Sequence, residues 1–474
     1  MNSRPDNTDN QPRRSGAASR EGTGHIILRL ARGTAHDSRD LRQVAQQESL
    51  RRLRAFLLQN PDLASERLIR HAAPETIRRR EAAASRHGFA PLETLTAYWR
   101  LDARSTENAE RLCRELAAMT EEISAAYQET SVSEANDPLT TPDTNPYFKD
   151  QGFLNAAPEG IGVRDAWTRI AEKGGTAVQV IDLEAGWILG HRDLPKPQLL
   201  YGDDGVAHGY TKGDHGAAAM GIVGAMNNQI GVIGVVPEAL TLNAVSHYDA
   251  AKNDGLHVAD AIGAAQLHLQ AGDVLLLEVQ RTQSGAVLPT EIDSADFHAI
   301  RLATAHGIIV IEAAGNGDQD LDAWTDPTAE HELEVGAAGY RDSGAIMVGS
   351  SKAAVMSGTN GVSGHKRYYT SNYGSRVNVY AWGERIYTAG YGSAAGTPGG
   401  VNSYASNFGQ TSGASAIIAG AAALIQSWYK SHNIAPLSAT DMRDLLSNPN
   451  SGTAQVLLAN DPIGVMPNLD DIIK

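Results

Sequence analysis

Cysteine is almost missing from this 474-residue chain: Cys113 stands alone, so no internal disulfide framework can form. No apolar run approaches the roughly 18 residues that a bilayer-crossing helix needs, and no membrane span is expected. The first thirty residues are polar and dotted with arginine, without an apolar core of signal-peptide length. The expected compartment is therefore the cytoplasm, or the outside by a route without a recognisable Sec signal. Lysine is absent from residues 1–131, where 21 arginines meet 18 acidic residues for a net charge of about +3. The whole chain carries −15, which leaves about −18 on residues 132–474. An acidic body argues against nucleic acid as a partner, and the opposite balance of the front suits docking of one part on the other. Paired-cysteine and H-E-x-x-H zinc motifs are missing, as are a Walker-type G-x-x-x-x-G-K-[ST] loop and a G-x-S-x-G elbow.

What is present falls into two textures. Residues 1–23, rich in Asn, Arg, Ser and Gly, read as a disordered lead-in. His25–Ala31 follows as a candidate strand. Apolar residues at i, i+3 and i+4 predict helices around 39–59 and 64–86. Leu95–Leu101 alternates as a strand, Thr106–Met119 is a helix with Leu112 and Leu116 on one face, and Ile123–Thr130 is extended. Cys113 lies in that helix and reads as a small buried hydrophobe. Residues 24–131 thus form a small α+β unit, and the polar stretch 132–145, with its prolines, reads as a linker. From 146 to 474 short apolar strands alternate with Gly/Ala-rich helices, the pattern of a mostly parallel α/β sheet. Ala177–Asp182, Asp273–Glu278 and Ile308–Ala313 are near-continuous apolar runs, as strands buried on both faces require.

Three positions carry the chemistry. Asp182 ends an apolar strand, where α/β sheets place reactive side chains. His215 opens a small-residue helix, and Ser412 stands at the start of another, close to exposed backbone N–H groups that can stabilise a developing negative charge. A strand continuing past Asp182 puts Glu184 on the same face, which makes Glu184 the second candidate for the acidic role.

The surrounding segments are what give these residues meaning. VQVIDLEAGWILGHRDL (178–194), GDHGAAAMGIVGAMNNQIGVIGVVPEA (213–239), IIVIEAAGNGD (308–318), YTSNYGSRVNVYAWGERIYTAG (369–390) and FGQTSGASAIIAGAAALI (408–425) resemble, in order, the subtilisin-like serine protease family. The resemblance spans about residues 146–474. It implies a three-layer α/β fold and a serine endopeptidase in which Ser412 attacks, His215 moves the proton, Asp182 orients the histidine and Asn316 helps hold the oxyanion. It further implies a protein or peptide substrate lying extended beside Leu277, Glu278, Val279 and Gln280, with Ala313, Ala314 and Gly315 lining the same cleft. LCRELAAMTEEISAAYQETSV (112–132) resembles the end of the family's propeptide, so residues 24–131 are expected to be an intramolecular, ferredoxin-like inhibitor of a latent zymogen. The loop after His215 resembles the family's calcium loop, which would offer Asp193, Asn228 and the carbonyls of Met226, Ile230 and Val232.

Departures from the family pattern keep one alternative open. Gln410 replaces the usual glycine before the Thr-Ser pair, Ala416 the usual proline, and Ala217 the usual threonine. A catalytically impaired fold serving as a binding or regulatory module is the rival reading. Glu278 stands where the family usually carries a small residue; it either favours a basic residue before the cut or is tied up by backbone donors.

Overall fold

Ile26, Ile27 and Leu28 are consecutive apolar residues in Gly22–Leu30 (β1) of the computed structural model, and both sides of this strand are covered. Ile26, Leu28 and Leu30 join a cluster with Leu53, Trp99 and Leu112, while Ile27 faces a second cluster with Val258, Ile262 and Ile300. The structure describes residues 22–31, 38–86, 94–130, 132–133, 147–170, 178–228, 230–237, 241–326, 330–357, 363–457 and 460–474. Most of the expected lead-in and of the expected linker therefore lies outside the described residues.

The front unit continues with α1 (Leu41–Val44), α2 (Arg51–Gln59), β2 (Ala64–Arg67), α3 (Pro74–Arg86), β3 (Tyr98–Asp102), α4 (Thr106–Ala117) and β4 (Ile123–Thr130). Its antiparallel sheet has the order β2-β3-β1-β4. The helix expected over 64–86 begins only at Pro74, a residue that suits the first helical position because its missing N–H has no partner there. Ala64–Arg67 pairs with β3 instead, and Leu68 and Ile69 pack into the second cluster. The helix expected over 39–59 is two helices, α1 and α2. Cys113 is buried in α4, and burial pushes its thiol up to about 12.

Two residues beyond β4, Val132–Ser133 (β5) pair antiparallel with Gln280–Gln283 (β10), which also pairs with Ala286–Pro289 (β11). After the short helix α5 (Val163–Ala166) comes a nine-stranded sheet. In spatial order its first six strands are Leu199–Tyr201 (β7), Thr241–Ser246 (β8), Gln179–Glu184 (β6), Val274–Leu277 (β9), Ile309–Ala313 (β12) and Ile346–Ser351 (β13). Val379–Trp382, Val465–Pro467 and Gly452–Ala454 complete it, and all neighbours are parallel except the last pair. Helices cover both faces, as parallel sheets require. Val274, Leu276, Ile309 and Ile311 point to the face packed by α6 (Asp214–Gly224) and α9 (Gln410–Ser431). Leu275, Leu277 and Val310 point to the face packed by α7 (Val258–Ala265) and α8 (Ser294–Ala305). Among the described residues, no helix is long and apolar enough to cross a membrane.

The front sheet lies against α7 and α8. Ile27, Leu68, Ile77 and Tyr98 share their cluster with both helices. The charge difference between the two parts is used at this contact. Arg70 Nη1 donates to Asp249 at 2.6 Å, and Arg100 Nη2 donates to Asp254 at 3.1 Å. The backbone N–H groups of Arg70 and His71 converge on Asp260 Oδ1.

Candidate active site

The pleat of β6 sends Val180, Asp182 and Glu184 to one face, the face packed by α6 and α9. His215 is the second residue of α6 and Ser412 the third of α9, so both helices present their first turns to the end of β6. His215 Nε2 lies 3.0 Å from Ser412 Oγ. His215 Nδ1 lies 3.0 Å from Glu184 Oε2. The carboxylate on the imidazole is therefore Glu184, and the placement of Asp182 on that nitrogen is corrected. Asp182 Oδ2 instead accepts the indole N–H of Trp187 at 2.7 Å. Glu184 stands one pleat repeat further along the strand and has one more methylene, and both extend its reach towards His215.

Trp187 approaches closely because of Gly216, where a Cβ would lie 2.3 Å from the indole ring. The Phe408 ring meets the His215 ring edge to face at 5.3 Å and limits its rotation. Asp214 closes the start of α6 by accepting the N–H groups of Tyr391 and Gly399.

Asn316 sits just past β12. Its Oδ1 accepts the N–H and the hydroxyl of Thr411, next to Ser412, at 3.0 and 2.9 Å. Its buried Nδ2 has no acceptor among the described residues. A buried donor without a partner is costly and calls for an explanation. The loop is pinned by Asn372, whose Nδ2 donates to Ala314 O and whose Oδ1 accepts the N–H groups of Gly317 and Gln319. Gly315 has a φ of +94°, which a side chain would strain, and a Cβ there would also crowd Asn372.

The residues expected to line the substrate cleft divide by direction. Leu277 and Val279 belong to the cluster on the α7/α8 side. Gln280 Oε1 accepts the Asn316 N–H at 3.0 Å. Ala313 and Ala314 are buried at the end of β12. Glu278 faces Glu184 and His215 and is 0% exposed, which argues against its selecting a basic substrate residue. Its Oε1 lies 2.6 Å from Ser415 Oγ, and its carboxyl comes within 4.8 Å of ligand atoms of Glu184 and His215. Burial pushes this carboxyl well above the ordinary glutamate range; Glu184 and Asp182 add to the shift and His215 opposes it. Both His215 ring nitrogens are committed to hydrogen bonds, which leaves neither free for a cation.

The residues expected to hold calcium are close together, but their side-chain oxygens serve protein donors. Asp193 Oδ2 accepts the Val232 N–H at 3.0 Å, and Asp193 Oδ1 faces Asn228 Nδ2 at 3.3 Å. Asn228 Oδ1 accepts the Ile230 N–H. Calcium wants six to eight oxygens, and a cation here would have to displace these N–H donors from Asp193 and Asn228.

Comparison with known proteins adds to this geometry. The model of the subtilase family matches residues 202–461, a span that contains His215, Asn316 and Ser412 but begins after β6. Subtilisin DY of Bacillus licheniformis is 29% identical over 274 residues, 58% of this chain and 84% of that protein. Among solved structures, a protease from Pseudoalteromonas arctica superposes with a TM-score of 0.50 at 22% identity, covering 70% of this chain and 99% of that one. Fervidolysin from Fervidobacterium pennivorans, a keratinolytic enzyme related to subtilisin, gives a TM-score of 0.55 at 16% identity, covering 96% of this chain and 62% of that one. Both structural likenesses are likenesses of fold.

Proposed function

Since the chain belongs to the subtilase family and is a serine-type endopeptidase, we propose that it cleaves peptide bonds with Ser412 as nucleophile, His215 as proton carrier and Glu184 as the carboxylate that orients His215. The observation that carries this reading is the continuous line Glu184–His215–Ser412, with 3.0 Å at each step. His215 takes the Ser412 proton as the hydroxyl attacks the carbonyl carbon, then returns it to the departing amine. Glu184 accepts the Nδ1 proton in a hydrogen bond, which leaves Nε2 free to act as base, and offsets the imidazolium charge. Water then repeats the cycle on the acyl-enzyme. The Asn316 Nδ2 donor and the Ser412 N–H at the first turn of α9 would meet the oxyanion.

The front unit is proposed to be an inhibitory propeptide, and the chain a latent zymogen. The support is the pairing of Val132–Ser133 with Gln280–Arg281, beside the edge where an extended substrate would add by main-chain hydrogen bonds. Substrate would be any accessible extended segment, with pairing along the Leu277–Gln280 backbone and the Ala313–Gly315 turn near the cut. Subtilases commonly bind calcium; here the loop around Asp193 is closed by its own N–H donors.

Intact mass spectra of the purified chain and of Ser412→Ala test this reading. The native chain is expected to lose roughly its first 130–145 residues on incubation at neutral pH, while the variant stays whole. Equal processing of both would remove Ser412 from the nucleophile role. No processing of either, together with no labelling by a serine-directed probe, would favour a binding module.

A further inference from the structure

Two carboxyl groups, Glu184 and Glu278, gather with the His215 imidazole within 4.8 Å, Asp182 stands one pleat repeat back along β6, and all four residues are 4% exposed or less. Carboxylates this close in a dry site do not all ionise; one keeps its proton. Their partners decide which. Asp182 faces the Trp187 indole N–H, a group that can only donate. Glu184 faces His215 Nδ1, which must donate if Nε2 is to accept from Ser412. Glu278 faces a hydroxyl, Ser415 Oγ, which can accept as well as donate.

Ser415 sharpens the assignment. Its Oγ lies 2.6 Å from Glu278 Oε1, 2.8 Å from Thr411 O and 3.0 Å from Ser412 O. A hydroxyl has one proton, and both carbonyl oxygens are pure acceptors. If the Ser415 proton goes to Thr411 O, the short contact to Glu278 needs a proton of its own, and the carboxyl supplies it.

We propose that Glu278 is a neutral carboxylic acid that donates its proton to Ser415 Oγ, a positioning residue that fixes the first turn of the nucleophile's helix and leaves Glu184 as the charge that orients His215. The inference rests on the proposed roles of Ser412, His215 and Glu184, and it gives the buried Glu278 a role other than substrate selection. Charged groups face Glu278 from β6, as Asp182 and Glu184, and from α6, as His215; α9 contributes the Ser415 hydroxyl. Ionising Glu278 would set a second negative charge beside Glu184, and Ser415 would have to turn its only proton away from Thr411 O.

The test uses the full chain in a Ser412→Ala background, so that processing does not interfere, and reads the protonated-carboxyl band by infrared difference at pH 7. The band is expected to be lost in Glu278→Gln and kept in Glu184→Gln, and to shift upward in Ser415→Ala as the acceptor disappears. With Ser412 restored, Glu278→Gln is expected to leave the acid limb of the kcat/KM profile in place. The urea midpoint of the parent, relative to Glu278→Gln, is expected to fall as pH rises above the ordinary glutamate value near 4.5. The sign follows because the unfolded chain releases this proton while the folded chain keeps it. No band in the parent, or an acid limb that moves down by a unit or more in Glu278→Gln, would overturn the inference. Should Glu278→Gln fail to fold, the Ser415→Ala shift decides alone. An inactive enzyme that still shows the band would sink the proposed triad and leave the protonation of Glu278 standing.

Discussion

Replacing Glu184 by glutamine tests its proposed role in orienting His215. Glu184 Oε2 lies 3.0 Å from His215 Nδ1, so the ring is held with its proton on Nδ1 and its lone pair on Nε2, 3.0 Å from Ser412 Oγ. A glutamine can turn its NH₂ to Nδ1, which moves the proton to Nε2 and leaves Ser412 without a base. The corresponding neutralisation in a chymotrypsin-type protease costs about 10⁴ in kcat, and loss of the acid in subtilisin costs about 3 × 10⁴. A factor of 10⁴ is about 5.4 kcal/mol of transition-state stabilisation. Asp182→Asn is the control. An asparagine oxygen can still accept the Trp187 N–H now held at 2.7 Å, so only the charge assistance is lost, about 1–2 kcal/mol of stability. Turnover of that variant is expected to stay within about tenfold of the parent, since the His215 hydrogen bonds are untouched. Both variants would be processed in trans by wild-type enzyme, then assayed for kcat on a chromogenic peptide and for labelling by a serine-directed probe. A 10⁴-fold loss in Asp182→Asn with near-normal Glu184→Gln would refute the assignment.

Two further outcomes follow from local geometry. Gln410 has a φ of +54° at the start of α9, where its N–H bonds Gly383 O at 2.7 Å. Gln410→Val should lower stability by about 2 kcal/mol through left-handed strain on a β-branched residue, while Gln410→Gly should stay within about 1 kcal/mol of the parent, read by thermal melting. Excess EDTA should leave the melting temperature unchanged, because the Asp193 carboxylate is occupied by the Val232 N–H and the Asn228 amide. A drop of several degrees would mean that a cation replaces those donors.

The sequence is most legible where one rule covers a whole element. Near-continuous apolar runs identify the β6, β9 and β12 strands, and small residues identify the helices that carry His215 and Ser412. The two-residue period places Asp182 and Glu184 on one face without saying which of them reaches His215. That depends on how far β6 runs beyond Asp182 and on the Trp187 donor closing over it. Trp187, five residues on and opposite Gly216, is the signal that could have decided between them. Glu278 reads as a pocket residue from the family pattern, although its alternation with Val274 and Leu276 already points it at the α9 face. Pro74 is a visible helix start, but the apolar spacing of Leu68 and Ile69 carries the expected helix too far forward. The pairing of Val132–Ser133 with Gln280–Arg281 has no local signature, since register between segments so distant in sequence is set by the docked unit as a whole.

The front sheet is clasped between its own helices and the pair α7 and α8, yet covalent continuity runs on through the stretch between Ser133 and Tyr147. While that stretch is intact, the clasp is an intramolecular equilibrium, and the front unit meets its surface at a fixed, high effective concentration. Once the stretch is cut, the same contacts obey the bulk concentration of a separate fragment. Ile27, Leu68 and Tyr98 would then hold only as tightly as their own affinity allows, and the occupancy of the Gln280–Arg281 edge would fall with dilution. A single hydrolysed bond would thus change the law that governs the closed state while leaving its contacts unchanged.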